Sequence, residues 1–265
     1  MTVVNGYLHS MGLRGVKAEL VGQLTAPGPL VEQRLSPGSA ELFALAGNLP
    51  EPLITPEIER ILTSLAAMPQ ARVLKALFSL LCRPEPFLHW RAVEVMGPLV
   101  ARVGDGDMEA ARVVMRRFMW SLNDESGGIG WGAPEAMAES LVHNDTLADE
   151  YSHILVSFMR EDGFYLEYPP LQRGLMWGLG RLAAQRPALL REKRAIGHLL
   201  PYLASPDPEV RGLAARVAGL LDAREAVESL EKLQPQNDLL TLYHHNRLLT
   251  LSVGLMASAV LEKLR

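Results

Sequence analysis

The residues best equipped for chemistry stand together between Trp120 and Glu135, where the chain reads Trp-Ser-Leu-Asn-Asp-Glu-Ser-Gly-Gly-Ile-Gly-Trp-Gly-Ala-Pro-Glu. Asn123 offers an amide, and Asp124, Glu125 and Glu135 offer carboxylates. Gly128 and Gly130 let backbone amides face a ligand, while Trp120 and Trp131 offer stacking surfaces. Pro134 suits the first turn of a helix, so Gly132 and Ala133 lead into a helix start with free amides. A nucleotide loop is not indicated: the stretch lacks the Lys-Ser/Thr of a phosphate-binding loop and follows a helix rather than a strand.

Two other connections fall at the equivalent place in the pattern, Cys82 to Phe87 before this stretch and Arg160 to Pro170 after it. Side by side, the three would gather Asp124, Glu125, Glu161, Asp162, Trp131, Phe164, Tyr165 and Tyr168, with Arg83, Arg160, Arg91 and Arg173 nearby. Aromatics, arginine and glycine in that mixture suit a recognition surface. The competing reading is that the aromatics cover helix ends and the acids pair with the arginines.

Signals for catalysis or metal are poor. The seven histidines form no His-Glu-x-x-His, no His-Glu dipeptide and no Cys/His cluster. His244 and His245 are adjacent, and the reading places them at the start of a helix, where neighbouring residues face apart. No metal site is assigned to them. Met96, Met115, Met119, Met137, Met159 and Met176 sit at core spacing rather than in a cofactor box.

Helices must position these loops. Segments such as EIERILTSLAAM, ARVLKALFSLL and WRAVEVMGPLVARV place apolar residues at i, i+3, i+4 and i+7. No strand alternation stands out, and 6% aromatic residues with abundant Leu and Ala suit helix-on-helix packing. Breaks such as SPGS, RPEP, GDGD and SPDP separate the helices, with Asp, Ser or Thr placed to cap the next one. The register of Asp207 to Gly219, DPEVRGLAARVAG, recurs from Leu88, from Leu171 and from His245, with weaker copies from Pro56 and Ala133. The aligned positions 59, 91, 135, 173, 211 and 247 are 32 to 44 residues apart, the period of helix-pair solenoids.

The segment 206–221 resembles the HEAT-like repeat of the phycobilisome (PBS) lyase type, whose second helix opens with Asp-Pro-x-Val-Arg and runs on as an Ala-rich stretch ending at Gly. The copies at Arg91, Arg173 and Arg247 keep the Arg and the small-residue face without the Asp-Pro, and Glu59 and Glu135 replace the Arg. The resemblance covers about residues 40–265. It implies an armadillo-like, all-α fold, an α-α superhelix (solenoid) of about six HEAT-like helix-pair repeats, with residues 1–38 as an N-terminal cap and 39–265 as the solenoid, in one domain. An Arg at the start of successive second helices would lie at one end of the stack, pairing with Asp or Glu of a neighbouring repeat. The alternative is a guanidinium strip for an acidic partner, interrupted at Glu135. Solenoids of this type host bilin lyases, a DNA-alkylation glycosylase, a metal hydroxylase and pure scaffolds, so the resemblance implies no single activity.

Composition narrows the classes. At 265 residues and 48% hydrophobic the chain can bury a core. A net charge of −4 with interspersed signs disfavours nucleic acid. No apolar run approaches the ~20 residues of a membrane span, Cys82 is the only cysteine, and a cytoplasmic protein is expected. The favoured reading is a non-catalytic scaffold that binds another protein through loops 120–135 and 160–170 or through the concave face, with no cofactor. The alternative is a tetrapyrrole-like small molecule held by the Gly/Trp loop, in a binding protein or a lyase/isomerase, with Trp120, Trp131 and Tyr165 stacking. A nucleic-acid role is a third reading, opposed by the acidic balance.

Overall fold

The computed structural model describes residues 13–25, 30–49, 51–123 and 130–265. Most long helices begin where a short polar side chain or a proline settles the free amides of the first turn. Thr55 caps α3 (Pro56–Leu65), Asp107 caps α6 (Met108–Leu122), Asn144 caps α8 (Asp145–Ser157), Asp207 caps α12 (Pro208–Leu220) and Ser252 caps α14 (Val253–Leu264). Prolines open α5 (Pro86–Gly106) and α9 (Pro169–Gln185), and Pro134 lies in the first turn of α7 (Ala133–His143). The remaining helices are α1 (Leu13–Thr25), α2 (Ala40–Phe43, continuing as a π-helical stretch over Ala44–Asn48), α4 (Gln70–Leu81), α10 (Pro187–Glu192), α11 (Ala195–Leu199) and α13 (Val227–Leu233).

The helices stack as the repeat pattern implies. In the inner layer α5, α7, α9, α12 and α14 each pack against the next, and each is preceded by an outer partner: α4, α6, α8, the broken run from α10 to Ala204, and α13. The chain is an all-α solenoid. Small residues set the inner spacing: a Cβ at Gly178 would lie 2.8 Å from the Cβ of Ala138, and one at Gly97 would lie 2.7 Å from the Glu139 carbonyl oxygen. Met96, Met115, Met137, Met159 and Met176 are buried, in keeping with their core spacing.

One expectation fails at the C-terminal end. The supposed helical copy of the repeat from His245 is a β-hairpin. β2 (Leu239–His244) and β3 (Arg247–Ser252) pair antiparallel, with Leu240 opposite Leu251 and His244 opposite Arg247. His245 and Asn246 form the turn, both with positive φ, 44° and 64°, the backbone of a two-residue type I′ hairpin. Leu240, Leu242, Leu249 and Leu251 alternate inward, a period of two that Leu-rich sequence hides, and the true helix follows one element later as α14. β1 (Val31–Arg34) adds parallel to β3, giving the order β1-β3-β2.

That sheet changes what the concave side looks like. The hairpin and the strap Glu51–Leu53 lie over the inner helices: Trp177 Nε1 donates to the Tyr243 carbonyl at 2.9 Å, Arg181 donates to the carbonyls of Pro52 and Leu53 at 3.2 and 2.7 Å, and Leu240 presses on Gly212. The hairpin and the strap thus cover the inner helices at these residues.

Candidate functional site

The structure separates the sequence-derived candidates into an edge, a small pocket and an interior. Asp124, Glu125 and Gly128 lie outside the described residues. Asn123 ends α6, its amide donating to the Trp120 carbonyl at 3.1 Å, and Trp120 stands 75% exposed. Gly130 packs so close to the end of α6 that a Cβ would lie 2.8 Å from the Ser121 carbonyl oxygen, and Gly132, with φ 72°, swings the chain into α7.

Trp131 stands at this edge and meets Tyr168 edge-on, ring centroids 5.9 Å apart. Beside it is a pocket of about 220 Å³ walled by His89, Trp90, Glu135, Arg173, Gly174 and Trp177 among others. Glu135 lies in the first turn of α7 with its carboxylate against Gly174, where a Cβ could not fit. His89 Nε2 approaches it at 3.9 Å, and Glu135 Oε2 has no hydrogen-bond partner among the described residues. Burial holds its carboxyl above the ordinary range, and the charge of His89 only partly offsets this.

The loop 160–168 folds back on the end of α8. Phe164 N donates to Ser157 O and Leu166 N to Phe158 O, both at 3.1 Å, and buried Leu166 anchors the turn. Exposed Phe164, Tyr165 and Tyr168 surround that anchor. Arg160 is committed to Asp162 through bonds of 2.9 and 2.7 Å, whereas exposed Glu161 and Glu167 make no ion pair among the described residues. Between this loop and the residues after α11 opens a groove of about 740 Å³, lined by Arg160, Glu161, Tyr165, Gln172, His198 and Tyr202 among others.

The arginine series is largely paired within the fold. Arg173 reaches Asp207 at 2.7 Å and Glu209 at 2.8 Å, both on the next inner helix or its cap. Arg211 donates to Asp238 and to the Ser205 carbonyl. Arg91 is turned inward and 1% exposed, donating to the Leu24 carbonyl and to Asn246 Oδ1 and pairing with Glu57.

Sequence reasoning missed a second centre, a buried cluster under the hairpin tip. Glu94 of α5, Glu139 and His143 of α7, Arg181 of α9 and Arg216 of α12 point to one place, met by Glu51, Tyr243, His244 and His245. Arg181 Nε donates to Glu139 Oε2 at 3.0 Å, His143 Nε2 lies 3.1 Å from Glu139 Oε1, Tyr243 OH donates to Glu94 at 2.6 Å, and Arg216 bonds Glu51. Burial raises the Glu51 and Glu139 carboxyls, but Arg216 and Arg181 respectively help to pull them to a net value below the ordinary range. Glu94 lacks such a partner, and burial pushes it up to about 7. Burial pushes His244 down to about 3 and holds His245 below the ordinary range as well. The signal was present in the sequence: a single charge within the Ala-, Gly- and Val-rich runs around Glu94, Glu139, Arg181 and Arg216.

The sequence matches no protein-family model. Over 107 residues it is 32% identical to an uncharacterized protein of Archaeoglobus fulgidus, a match covering 40% of this chain and 52% of that protein. The chain thus spans about half the length of the curated relative it matches. Among solved structures, computationally designed armadillo repeat proteins for modular peptide recognition align over 93% of this chain and 99% of theirs, at 17% identity and a TM-score of 0.45. An engineered protein aligns over 86% of this chain and 99% of its own, at 16% identity and a TM-score of 0.46.

Proposed function

We propose that this chain is a non-catalytic repeat scaffold that holds another protein at the loop edge of the stack, where the groove beside loop 160–168 takes an extended, basic segment. One observation carries the reading: a groove of about 740 Å³ bordered by exposed Tyr165 and by the carboxylates Glu161 and Glu167, which have no ion-pair partner among the described residues. Aromatic side chains at a rim give a partner large, rigid contact area, and unpaired acids there favour Lys and Arg over Asp and Glu. Arg160 does not oppose this, because Asp162 already neutralises it. Phe164, Tyr168, Trp131 and Trp120 extend the apolar rim toward the neighbouring repeat.

The experiment is fluorescence anisotropy of labelled basic, neutral and acidic decapeptides against the full chain and against Glu161→Lys/Glu167→Lys. Preferential binding of the basic peptides, weakened at least tenfold by the charge reversal and by added salt, supports the reading. Equal binding of all three charge classes, or none, overturns it. A small-ligand reading retains one observation, the unpartnered Glu135 oxygen at the pocket beside Trp131. At about 220 Å³ that pocket falls below the ~300–1,000 Å³ usual for drug-sized ligands, which favours the scaffold reading over a tetrapyrrole-like ligand.

A further inference from the structure

We infer that Glu51, His244 and His245 form a binding site for one divalent transition-metal cation such as Zn²⁺ or Co²⁺. Each side chain offers a donor atom, and the three atoms lie within 4.8 Å of one another. His244 Nδ1 stands 3.9 Å from Glu51 Oε1, and the two imidazole rings are 4.2 Å apart at their centroids. Donors held about 2.0–2.2 Å from a common ion at tetrahedral angles lie roughly 3.3–3.6 Å apart, so the three side chains draw together by up to about an ångström to close the site. Two imidazole nitrogens and one carboxylate oxygen are the donor set of three-ligand zinc sites, with a fourth position left for water.

Adjacent residues come together here because of the turn. Along a strand His244 and His245 would face opposite ways, but the left-handed backbone of His245, φ 44°, brings the second ring beside the first. Asn and Gly are the residues that favour such a turn. A histidine in that conformation is a local strain, and strain of this kind gathers at functional positions.

The interior argues the same way. Among the described residues His245 Nε2 is buried without a hydrogen-bond partner, a state found for few buried polar atoms. Two cavities of about 10 Å³ each flank the ring of His245, room for about one water or ion apiece and for no organic ligand. Glu51 and Glu139 offset the two guanidiniums, Arg181 and Arg216, and the Glu94 carboxyl lies beside them. Arg216 and Arg181 sit against Glu51 and serve as the outer partners that orient a ligating carboxylate.

The test uses the full chain without an affinity tag, stripped with chelator and titrated with Co²⁺ and then Zn²⁺, with stoichiometry read by calorimetry, coordination by the visible spectrum of Co²⁺, and stability by the thermal midpoint. One ion per chain, a four- or five-coordinate cobalt spectrum and a raised midpoint are expected. His245→Asn removes the donor while keeping a residue that accepts the left-handed turn, so its metal-free midpoint should equal or exceed that of the wild type. Its affinity should fall by about 100-fold or more, at least the upper range for losing an outer-shell partner. His153→Asn, exposed on α8, should bind as the wild type does. No binding by the wild type, or undiminished binding by His245→Asn, overturns the proposal. Should His245→Asn lose its thermal transition, His244→Phe takes its place in the same comparison.

Discussion

Arg91 and Asn246, far apart in the chain, are joined by a 2.8 Å hydrogen bond from Arg91 Nη2 to Asn246 Oδ1. The same guanidinium donates to the Leu24 carbonyl and pairs with Glu57 at 3.5 Å. One side chain of α5 therefore ties α1, α3 and the hairpin tip together, and the repeat's recurring Arg register acquires a structural meaning at this copy. Removing it leaves Glu57 and the hairpin tip without their shared partner.

Arg91→Met should therefore destabilise the protein by about 3–5 kcal/mol, the range for breaking a buried charged pair from one side. Denaturant midpoints at constant m-value measure this. Amide exchange should rise first in β2 and β3, whose tip Arg91 holds. A loss below about 1 kcal/mol would show that the hairpin is held by its leucines alone.

Stability should carry two opposing pH dependences from the buried cluster. Glu94 is held at about 7 against an ordinary 4.5, so between those values the unfolded chain releases a proton that the fold keeps. Its contribution falls as pH rises through that window. His244 is held at about 3 against 6.5; there the unfolded chain takes up a proton that the fold refuses, and stability falls as pH drops below about 6.5. Glu94→Gln isolates the first effect: relative to wild type it should gain stability steadily from about pH 5 to pH 8, by up to roughly 3 kcal/mol at about 1.4 kcal/mol per pKa unit. Urea midpoints in the presence of chelator give the comparison, and a difference that is flat with pH would place Glu94 in an ordinary environment.

The solenoid was legible because its signals are local. Asp207 and Pro208 mark a helix start in the sequence, and Ala214, Ala215 and Ala218 mark a closely packed inner face, as the structure bears out. The hairpin was not legible, because Leu239 to Ser252 alternates leucine with Thr, Tyr and Arg in a way that also fits a helical register, and its partner β1 lies some two hundred residues away. At the edge, Trp131 meets Tyr168, while Tyr165 borders a different groove, and sequence spacing does not distinguish the two places. The buried cluster was not legible, since its charges come from five separate elements and only the stacking brings them together.

Gly178 tests the inner spacing. A methyl group there would meet the Cβ of Ala138 at 2.8 Å and the Pro134 carbonyl oxygen at 3.0 Å, both backbone-anchored and unable to step aside. Gly178→Ala should cost about 1–3 kcal/mol through overpacking, against the gain usual for Gly→Ala in a helix. Thermal and denaturant midpoints decide it, and a stabilised variant would mean that α7 and α9 can part freely.

Trp120 and Trp131 divide stability from recognition. Trp120 is 75% exposed and has no ring partner among the described residues, so Trp120→Ser should leave stability within about 0.5 kcal/mol. Trp131 is 38% exposed and packs edge-on against Tyr168; Trp131→Ala should cost somewhat more, about 0.5–1.5 kcal/mol for the aromatic pair. If the loop edge is the docking surface, the double variant should weaken the basic decapeptides at least tenfold while its thermal midpoint stays close to wild type. Tryptophans retained only to cover helix ends would give the reverse pattern, with the midpoint falling and peptide affinity unchanged.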